Sequence, residues 1–232
     1  MANQANLAAL RAVARLLGPL LDQMVFVGGS TVGLYNTRNQ AESRPTVDVD
    51  CITEVSPRAA YYALEDKLRA LGFRNDQQVI CRWHVEGQVV DVMPVEEAIL
   101  GFSNPWYAEG IAHAEEYILP ENVRIRILSA IYFLATKLAA LKNRGMSDIR
   151  LSSDWEDIVY VVDNRPELLA ELSKASAAVR AYLAAEVQLL LRHPELREAI
   201  DCALPLGSGG DRPYVIETRL AALVESISSE ID

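Results

Sequence analysis

The sequence predicts an α+β fold in which a small mixed β-sheet is flanked by helices and followed by a helical C-terminal half. As far as about residue 122, short apolar segments bounded by glycine and proline alternate with helical patterns. Beyond residue 128 the apolar residues recur almost only at helical spacing. We therefore predict two domains, an α+β core over 1–122 and a helical domain over 123–232.

The first half alternates between helical and strand patterns. A hairpin turn is expected at Glu86-Gly87, and Ser56 is expected to cap the helix that follows it. The predicted helices span about 5–22, 30–37 and 57–71. The predicted strands span about 24–27, 46–53, 78–85 and 88–93, with another near Tyr117 and a short alternating segment at 123–127.

Glycine and proline divide the second half into helices. The breakers are Gly145, Pro166, Pro194 and the glycine-rich segment 207–210. The predicted helices lie at 128–143, 153–163, about 166–190, 194–202 and 213–230.

Composition limits the class of protein. The chain has 232 residues, half of them apolar, which is enough to bury a sizeable core. It contains no apolar run of about 18 residues and no secretory signal pattern, so we expect a cytoplasmic protein with no membrane span. Three scattered cysteines, Cys51, Cys81 and Cys202, suit reduced and buried thiols.

The charge distribution is uneven. The net charge of −10 disfavours a non-specific nucleic-acid binder, because affinity for phosphate comes from lysine and arginine. Residues 124–150 nevertheless form a basic island in which Asp148 is the only acid. Its cations suit either a solvated face or contact with an RNA backbone. They are Arg124, Arg126, Lys137, Lys142, Arg144 and Arg150.

Two aspartates alternate with valines in the predicted strand TVDVDC at 46–51. Alternate side chains of a strand share a face. We therefore expect Asp48 and Asp50 to point one way and Val47 and Val49 to point into the core.

A third aspartate, Asp91, lies between valines in the predicted strand QVVDVMP at 88–94. If the two strands pair, three carboxylates converge, and without a counter-charge at least one of them must take up a proton. Divalent cations remove this repulsion, and hard oxygen ligands suit Mg²⁺. The sequence therefore predicts a metal site formed by Asp48, Asp50 and Asp91.

The apolar strand at 24–27 runs into Gly28, Gly29 and Ser30 before a predicted helix. Such a turn presents backbone N–H groups to an anion, without Cβ atoms to hinder its approach. A turn with a serine cap is the structural alternative. Next to a metal-binding carboxylate cluster, this turn indicates a site for a nucleoside triphosphate.

These motifs, in this order, resemble the nucleotidyltransferase superfamily typified by DNA polymerase β. The segments FVGGSTVGLY, RPTVDVDC and RILSAIYFLATKLAALKNRG…SSDWEDI are most similar to AbiEii-type toxin nucleotidyltransferases of bacterial toxin–antitoxin and phage-defence systems. The resemblance covers about residues 24–163. The interval from Ser30 to Asp48 is longer than usual, and Ser153 stands where the family has the arginine of its Arg-Asp-x-x-Asp motif.

The resemblance implies an NTP-binding enzyme, with ATP among the expected substrates, in which the glycine turn holds the triphosphate. Asp48 and Asp50 would bind two Mg²⁺ ions. Asp91 would bind one of them and act as base toward an acceptor hydroxyl that attacks the α-phosphate, with pyrophosphate leaving. Arg44 and Thr46 are candidates for ordering the loop before these acids.

The resemblance also implies a phosphate-binding lysine on the helix at 128–143. Lys137 is the candidate because it lies at the margin of an apolar face, and Lys142 near the helix end is its rival. Asp157 would support the lysine or the acceptor. Asp154 has the same implied role, but a capping box beginning at Ser153 would also explain it.

Three whole-protein interpretations remain open. In the leading one, the protein is a toxin-type nucleotidyltransferase that modifies RNA, with tRNA as the favoured acceptor, and has a cognate antitoxin. In the second, the acceptor is a small polycation such as an aminoglycoside, which the acidic charge would suit. In the third, the chain is a catalytically idle binding module of the same fold.

Overall fold

The computed structural model describes residues 2–38, 42–205, 207–208 and 210–228. The chain divides into two compact units. The first comprises Met1–Gly33 and Glu42–Ser129, and the second comprises Leu34–Ala41 and Ala130–Asp232. The predicted end of the last helix at residue 230 lies outside the described residues.

A mixed β-sheet forms the centre of the first unit. In the described residues its strands follow the order β3-β4-β5-β2-β1-β7-β6. They are β1 (Val25–Val27), β2 (Val49–Thr53), β3 (Arg74–Asn75), β4 (Arg82–Val85), β5 (Gln88–Pro94), β6 (Glu115–Leu119) and β7 (Val123–Ile127).

Parallel and antiparallel pairings alternate in the middle of this sheet. Strand β2 pairs with β1 antiparallel and with β5 parallel, and β1 pairs with β7 parallel. Strands β4 and β5 form the predicted hairpin, in which Glu86 and Gly87 both have positive φ angles, of 45° and 79°. Two such residues are what the two-residue turn of a right-twisted hairpin requires.

Helices of the first unit lie along this sheet. They are α1 (Ala2–Leu17), α2 (Arg58–Ala70), α3 (Glu97–Leu100) and α4 (Tyr107–Ala112). Helix α1 buries Leu10, Val13 and Leu17, which recur at helical spacing and form one apolar stripe. Helix α2 is joined to β5 by the Tyr61 hydroxyl, which donates a hydrogen bond to the Val92 carbonyl at 3.0 Å.

The described part of the second unit is helical. Its α-helices are α5 (Ala130–Ala140), α6 (Ser153–Asn164), α7 (Leu168–Leu172), α8 (Ala177–Leu191), α9 (Leu196–Ala203) and α10 (Arg212–Ser228). Helix α5 is buried from Ala130 to Ala139, as expected for a helix that is apolar all round. It continues into a π-helical turn at Leu141–Gly145. The predicted α+β fold with a small mixed sheet and a helical C-terminal half is thereby confirmed.

Several boundaries differ from the predicted ones for local reasons. The helix predicted at 5–22 ends at Leu17 because Gly18 adopts a φ of +50° and Pro19 follows it, leaving a 3₁₀ turn at Gly18–Gln23. The segment predicted as a helix at 30–37 is a 3₁₀ helix at Gly29–Tyr35.

One predicted cap and one predicted helix also differ from the structure. Ser56 does not cap α2, whose N-cap position is Pro57 with no side-chain hydrogen bond. The helix predicted at 166–190 is divided into α7 and α8, and the Ser176 side chain caps α8 by accepting a hydrogen bond from the Val179 N–H.

None of the helices in the described residues is both long enough and apolar enough to cross a membrane. Cys51 and Cys81 are buried free thiols, as predicted, whereas Cys202 is exposed. The placement of a domain boundary at residues 122–123 stays a prediction.

Asn6 fixes the segment that leads into β2. This buried side chain on α1 donates a hydrogen bond to the Arg44 carbonyl at 2.9 Å and accepts one from the Thr46 N–H at 3.1 Å. The Thr46 hydroxyl contacts the same Asn6 oxygen at 3.3 Å. Helix α1 thus orders an irregular segment whose own sequence forms neither helix nor strand.

We expect Asn6→Ala to lower the free energy of unfolding by about 1–3 kcal/mol, because it leaves backbone groups of Arg44 and Thr46 without their partner. Gln4→Ala, at an exposed position of the same helix, is the matched control and should change it by less than about 0.5 kcal/mol. Urea unfolding followed by circular dichroism measures both. Equal effects of the two substitutions would contradict the role given to Asn6.

Candidate active site

Three carboxylates converge at the centre of the sheet. Asp50 of β2 and Asp91 of β5 are register partners across a parallel pair, so their side chains share a face. Asp48 lies two residues before Asp50, just ahead of β2. One oxygen of each carboxylate can be chosen so that the three lie within 4.8 Å of one another. The structure therefore brings together the three aspartates that the sequence singled out.

The prediction for Val47 was wrong. Its side chain is 89% exposed, whereas Val49 is buried. Strand β2 begins only at Val49, so the alternation of faces does not extend back to residue 47. Asp48 therefore reaches the cluster from an irregular segment.

Sequence reasoning missed Arg82, whose guanidinium lies within the acidic cluster. Its Nε and Nη2 atoms donate to Asp91 Oδ1 and Oδ2, both at 2.8 Å, and Nη2 also donates to Asp48 Oδ2 at 2.9 Å. Arg82 faces Asp91 across the antiparallel β4–β5 pair. Arg82 could have been found by counting back along the strand from the turn at Glu86-Gly87. A two-residue turn fixes which residues of the two hairpin strands face each other.

The charges of this cluster affect its neighbours. Burial, together with the nearby Asp50 and Asp91 carboxylates, raises the pKa of the Cys51 thiol well above its ordinary value. Burial and Asp91 likewise raise the pKa of Cys81 to about 11. The hydrogen bonds to Asp91 raise the pKa of Arg82, which is therefore a permanent cation. Neither thiol is a candidate nucleophile under these conditions.

The two glycines of the predicted phosphate turn are required by contacts within the chain. Gly28 has a φ of +71°, and a Cβ atom there would overlap Asp50 Oδ2. A Cβ atom on Gly29 would overlap the guanidinium of Arg44 and approach Thr46 Cγ2 at 2.9 Å. The turn is therefore packed directly against the acidic cluster and against the segment that Asn6 orders.

Ser30 does not act as the predicted helix cap. Its side chain is buried, and its hydroxyl donates a long hydrogen bond, 3.5 Å, to the Val27 carbonyl. The Thr31 hydroxyl donates to the Gly28 carbonyl at 2.9 Å and the Thr31 N–H does so at 3.2 Å. The Gly28 carbonyl is thus held by Thr31, which stabilises the turn.

A second cluster lies within the helical unit. The Lys137 ammonium contacts Asp157 Oδ2 at 2.7 Å and Asp154 Oδ1 at 3.1 Å. Arg144 binds Asp154 through Nε at 2.8 Å and through Nη2 at 3.0 Å. Lys137, Asp154 and Asp157 are all buried, so each charge depends on its partners for compensation.

This geometry distinguishes the alternatives left open by the sequence. Lys137 contacts both acids, whereas Lys142 lies on the π-helical turn and pairs with Glu186. The N-cap of α6 is Ser152, whose hydroxyl accepts a hydrogen bond from the Trp155 N–H, so the capping box predicted at Ser153 is wrong. The ion pairs with Lys137 and Arg144, rather than helix capping, compensate the charge of the buried Asp154.

The cations of the basic island are engaged by protein oxygens. The contacts are Arg124 with Glu116, Arg126 with the Ile111 carbonyl, Lys137 and Arg144 with Asp154, Lys142 with Glu186, and Arg150 with Asp148 and Glu198. Several of these side chains are still largely exposed, including those of Arg124, Lys142 and Arg144. The pair of Arg124 with Glu116 is exposed on both sides and therefore weak, so this cation is available to a polyanion.

The donor set of the acidic cluster fits a divalent metal. Its ligands are hard carboxylate oxygens that lie close enough to share an ion, as Mg²⁺ prefers. The structure itself places a cationic guanidinium between two of these carboxylates, where converging negative charges favour a cation. Asp48, Asp50 and Asp91 are therefore the residues that could hold a metal.

The mixed sheet, its glycine turn and its paired acidic strands are the features of a nucleotidyltransferase, and the family comparison assigns the protein to this class of enzyme. Residues 11–203 match the family described as "Nucleotidyl transferase AbiEii toxin, Type IV TA system". The chain belongs to this family of toxin–antitoxin nucleotidyltransferases.

One solved structure similar to this chain is that of a protein from H. pylori described as a candidate nucleotidyltransferase. The match covers 99% of this chain and 95% of that one, at 12% sequence identity and a TM-score of 0.45. None of the curated protein sequences is significantly similar to the chain.

We expect Gly28→Ala to be much more destabilising than Gly87→Ala. Both glycines have positive φ angles, but a Cβ atom on Gly87 would meet no atom within 4 Å. Gly87→Ala should therefore cost only the conformational penalty of about 1–2 kcal/mol. Gly28→Ala should cost about 1–3 kcal/mol more, because it also displaces Asp50. Urea unfolding of the two variants measures the difference, and equal losses would contradict the contact with Asp50.

The ion pairs of Asp154 should make stability depend on pH. Burial alone would raise the pKa of Asp154, but the hydrogen bonds from Arg144 and the charge of Lys137 outweigh it and hold the pKa below its ordinary value. Such a group stabilises the fold above the unfolded pKa of about 3.9, and this contribution is lost as the pH falls through the folded value.

We therefore expect Asp154→Asn to be less stable than the wild type at pH 7, with the difference shrinking as the pH falls from about 5 to 2. Asp201→Asn, which removes an exposed carboxylate from α9, is the control and should leave the profile nearly unchanged. Thermal unfolding across this pH range measures the effect. A difference that is constant with pH would exclude the proposed contribution of Asp154.

Proposed function

We propose that this nucleotidyltransferase transfers an NMP group from an NTP to a hydroxyl of RNA, with tRNA as the acceptor, in a Mg²⁺-dependent reaction that releases pyrophosphate. The observation that carries the proposal is the convergence of Asp48, Asp50 and Asp91 beside the glycine turn. Carboxylates held at this separation in a nucleotidyltransferase fold suit metal-dependent chemistry on a polyphosphate.

Asp48, Asp50 and Asp91 would hold two Mg²⁺ ions. When bound, these ions would neutralise charge on the triphosphate and on the leaving pyrophosphate. The chain supplies the positions of the three carboxylates, which the β2–β5 register and the segment ordered by Asn6 determine. Such preorganisation is the main contribution that a protein makes to phosphoryl transfer.

The remaining roles fall to side chains and backbone around the cluster. The turn at 28–30 would bind the triphosphate through its backbone. Asp91 would take the proton of the acceptor hydroxyl as its oxygen forms a bond to the α-phosphorus and the bond to pyrophosphate breaks. The products are an NMP-modified acceptor, pyrophosphate and a protonated Asp91.

Lys137 and Asp157 retain the roles that the family resemblance implies for them, a phosphate contact and its support. Their ion pair of 2.7 Å supports this pairing, because a buried carboxylate compensates the charge of the lysine and fixes its rotamer. Arg144 binds the neighbouring Asp154 and completes the cluster. The roles of these residues are part of the proposal.

Family membership supports a toxin role and a cognate antitoxin as a genetic partner. An RNA acceptor is what the resemblance to toxin-type nucleotidyltransferases implies. The exposed cation Arg124 supports contact with a polyanion, because its ion pair with the exposed Glu116 contributes only about 0–1 kcal/mol and can be exchanged for phosphate. The net charge of −10 argues for a restricted RNA contact rather than general binding of nucleic acid.

The test is incubation of the protein with total tRNA, Mg²⁺ and each α-labelled NTP. We expect the wild type to label tRNA with at least one NTP, and Asp48→Asn and Asp50→Asn to reduce labelling at least about 100-fold while retaining the wild-type circular dichroism spectrum. Asp66→Asn is the matched control, because it removes an exposed carboxylate from α2 and should keep full activity.

Three other outcomes would contradict the proposal in different ways. Labelling of an aminoglycoside but not of tRNA would keep the chemistry and replace the acceptor. Labelling of neither by a folded protein, with Mg²⁺ and all four NTPs, would favour a catalytically idle member of the fold. Activity that survives EDTA would contradict the metal dependence alone.

A further inference from the structure

Arg82 occupies a position in the acidic cluster that a bound cation would need. Its Nη2 atom lies 2.9 Å from Asp48 Oδ2 and 2.8 Å from Asp91 Oδ2, and its Nε atom lies 2.8 Å from Asp91 Oδ1. Both Asp91 oxygens therefore accept hydrogen bonds from one guanidinium. A single nitrogen is shared between two carboxylates that the metal site also requires.

Arg82 and a metal ion compete for these oxygens on two grounds. Mg²⁺ binds carboxylate oxygens at about 2.0–2.1 Å and demands near-octahedral geometry, which leaves no room for a guanidinium nitrogen between Asp48 and Asp91. The permanent charge of Arg82 would also repel an ion at this distance, because two like charges a few ångströms apart disfavour each other strongly away from bulk water.

The charge count explains why the arginine is present. Asp48, Asp50 and Asp91 carry three negative charges when ionised, and Asp91 is buried. Without compensation, such a cluster would force protonation or destabilise the sheet. Arg82 compensates one of these charges, and its position on β4, opposite Asp91, makes it part of the fold rather than an incidental contact.

We propose that Arg82 is a displaceable internal cation that holds Asp48 and Asp91 in the metal-free protein and leaves them when divalent ions bind. Its side chain is 29% exposed, so it has a path toward solvent. The inference rests on the proposed function, since it concerns the same three carboxylates. Arg82 is thus a positioning residue that sets the metal concentration at which the site fills.

The test compares Mn²⁺ binding to the wild type and to Arg82→Gln by titration calorimetry, with free Mn²⁺ confirmed by electron paramagnetic resonance. We expect Arg82→Gln to bind Mn²⁺ at least about tenfold more tightly, which corresponds to about 1.4 kcal/mol. A residue that only builds the site would change affinity in the opposite direction, because its loss would disorder the ligands. The rise in affinity therefore separates the two roles.

Arg74→Gln is the matched control. Arg74 lies on the neighbouring strand β3, is exposed, and forms no contact with the three carboxylates among the described interactions. The substitution Arg74→Gln removes the same charge from the same edge of the sheet and should change the Kd for Mn²⁺ by less than about twofold. Arg82→Lys keeps the charge but loses the planar fork, so its affinity should lie between the wild type and Arg82→Gln.

A second measurement uses the wild-type protein, in case Arg82→Gln does not fold without metal. The Nε–H resonance of Arg82, assigned by its loss in Arg82→Lys, should be protected from solvent exchange in EDTA and should shift and lose protection on addition of Mg²⁺. Retention of this protection at saturating Mg²⁺ would overturn the proposal, as would Mn²⁺ binding to Arg82→Gln that is equal to or weaker than binding to the wild type.

These outcomes are distinct from failure of the proposed function. Suppose that Mn²⁺ binds the wild type and Arg82→Gln equally, and that Asp50→Asn abolishes Mn²⁺ binding. The metal site is then supported, and only the role given to Arg82 is wrong. If Mn²⁺ binds neither protein while both are folded, the metal dependence of the proposed function fails, and the Arg82 proposal fails with it.

Discussion

The register between β2 and β5 is the constraint on which the acidic cluster depends. This parallel pair sets Asp50 directly beside Asp91, and a slip of one residue would send one of the two carboxylates to the opposite face. Burial enforces the register, because Val49 and Cys51 on β2 and Val90 and Val92 on β5 are almost completely buried. The hydrophobic core that stabilises the sheet therefore also determines which polar side chains meet.

Internal compensation of buried charge recurs through the molecule. Arg82 bridges acids in the sheet, Lys137 and Arg144 bind the buried acids of α6, and Arg212 binds Asp163. Removing one partner of such a group is costly, because the remaining charge is left in a low-dielectric environment. The chain is strongly acidic overall, yet its buried carboxylates are matched by cations that neighbouring elements supply.

Sequence patterns sufficed where the information is local or alternates with a fixed period. They placed the helices of the second unit apart from the division between α7 and α8, the hairpin at Glu86-Gly87 and the three aspartates of the cluster. They failed where a distant residue decides the local structure. Asn6, on helix α1, orders the segment at 44–46. The packing of Asp50 against Gly28 explains why residue 28 is a glycine, and the sequence around Gly28 does not show this contact. Arg82 was missed because an arginine in an amphipathic strand is ordinarily a surface residue, and only its cross-strand register reveals its partner.

The two buried cysteines have a practical consequence. Cys51 follows Asp50 directly and Cys81 precedes Arg82, so one thiol lies next to each half of the charged cluster. Because both are buried and their pKa values are raised, alkylating reagents reach them only through transient opening of the sheet. The protein thus carries two native chemical reporters of local unfolding beside its candidate active centre, while the exposed Cys202 on α9 provides an internal reference for reagent reactivity.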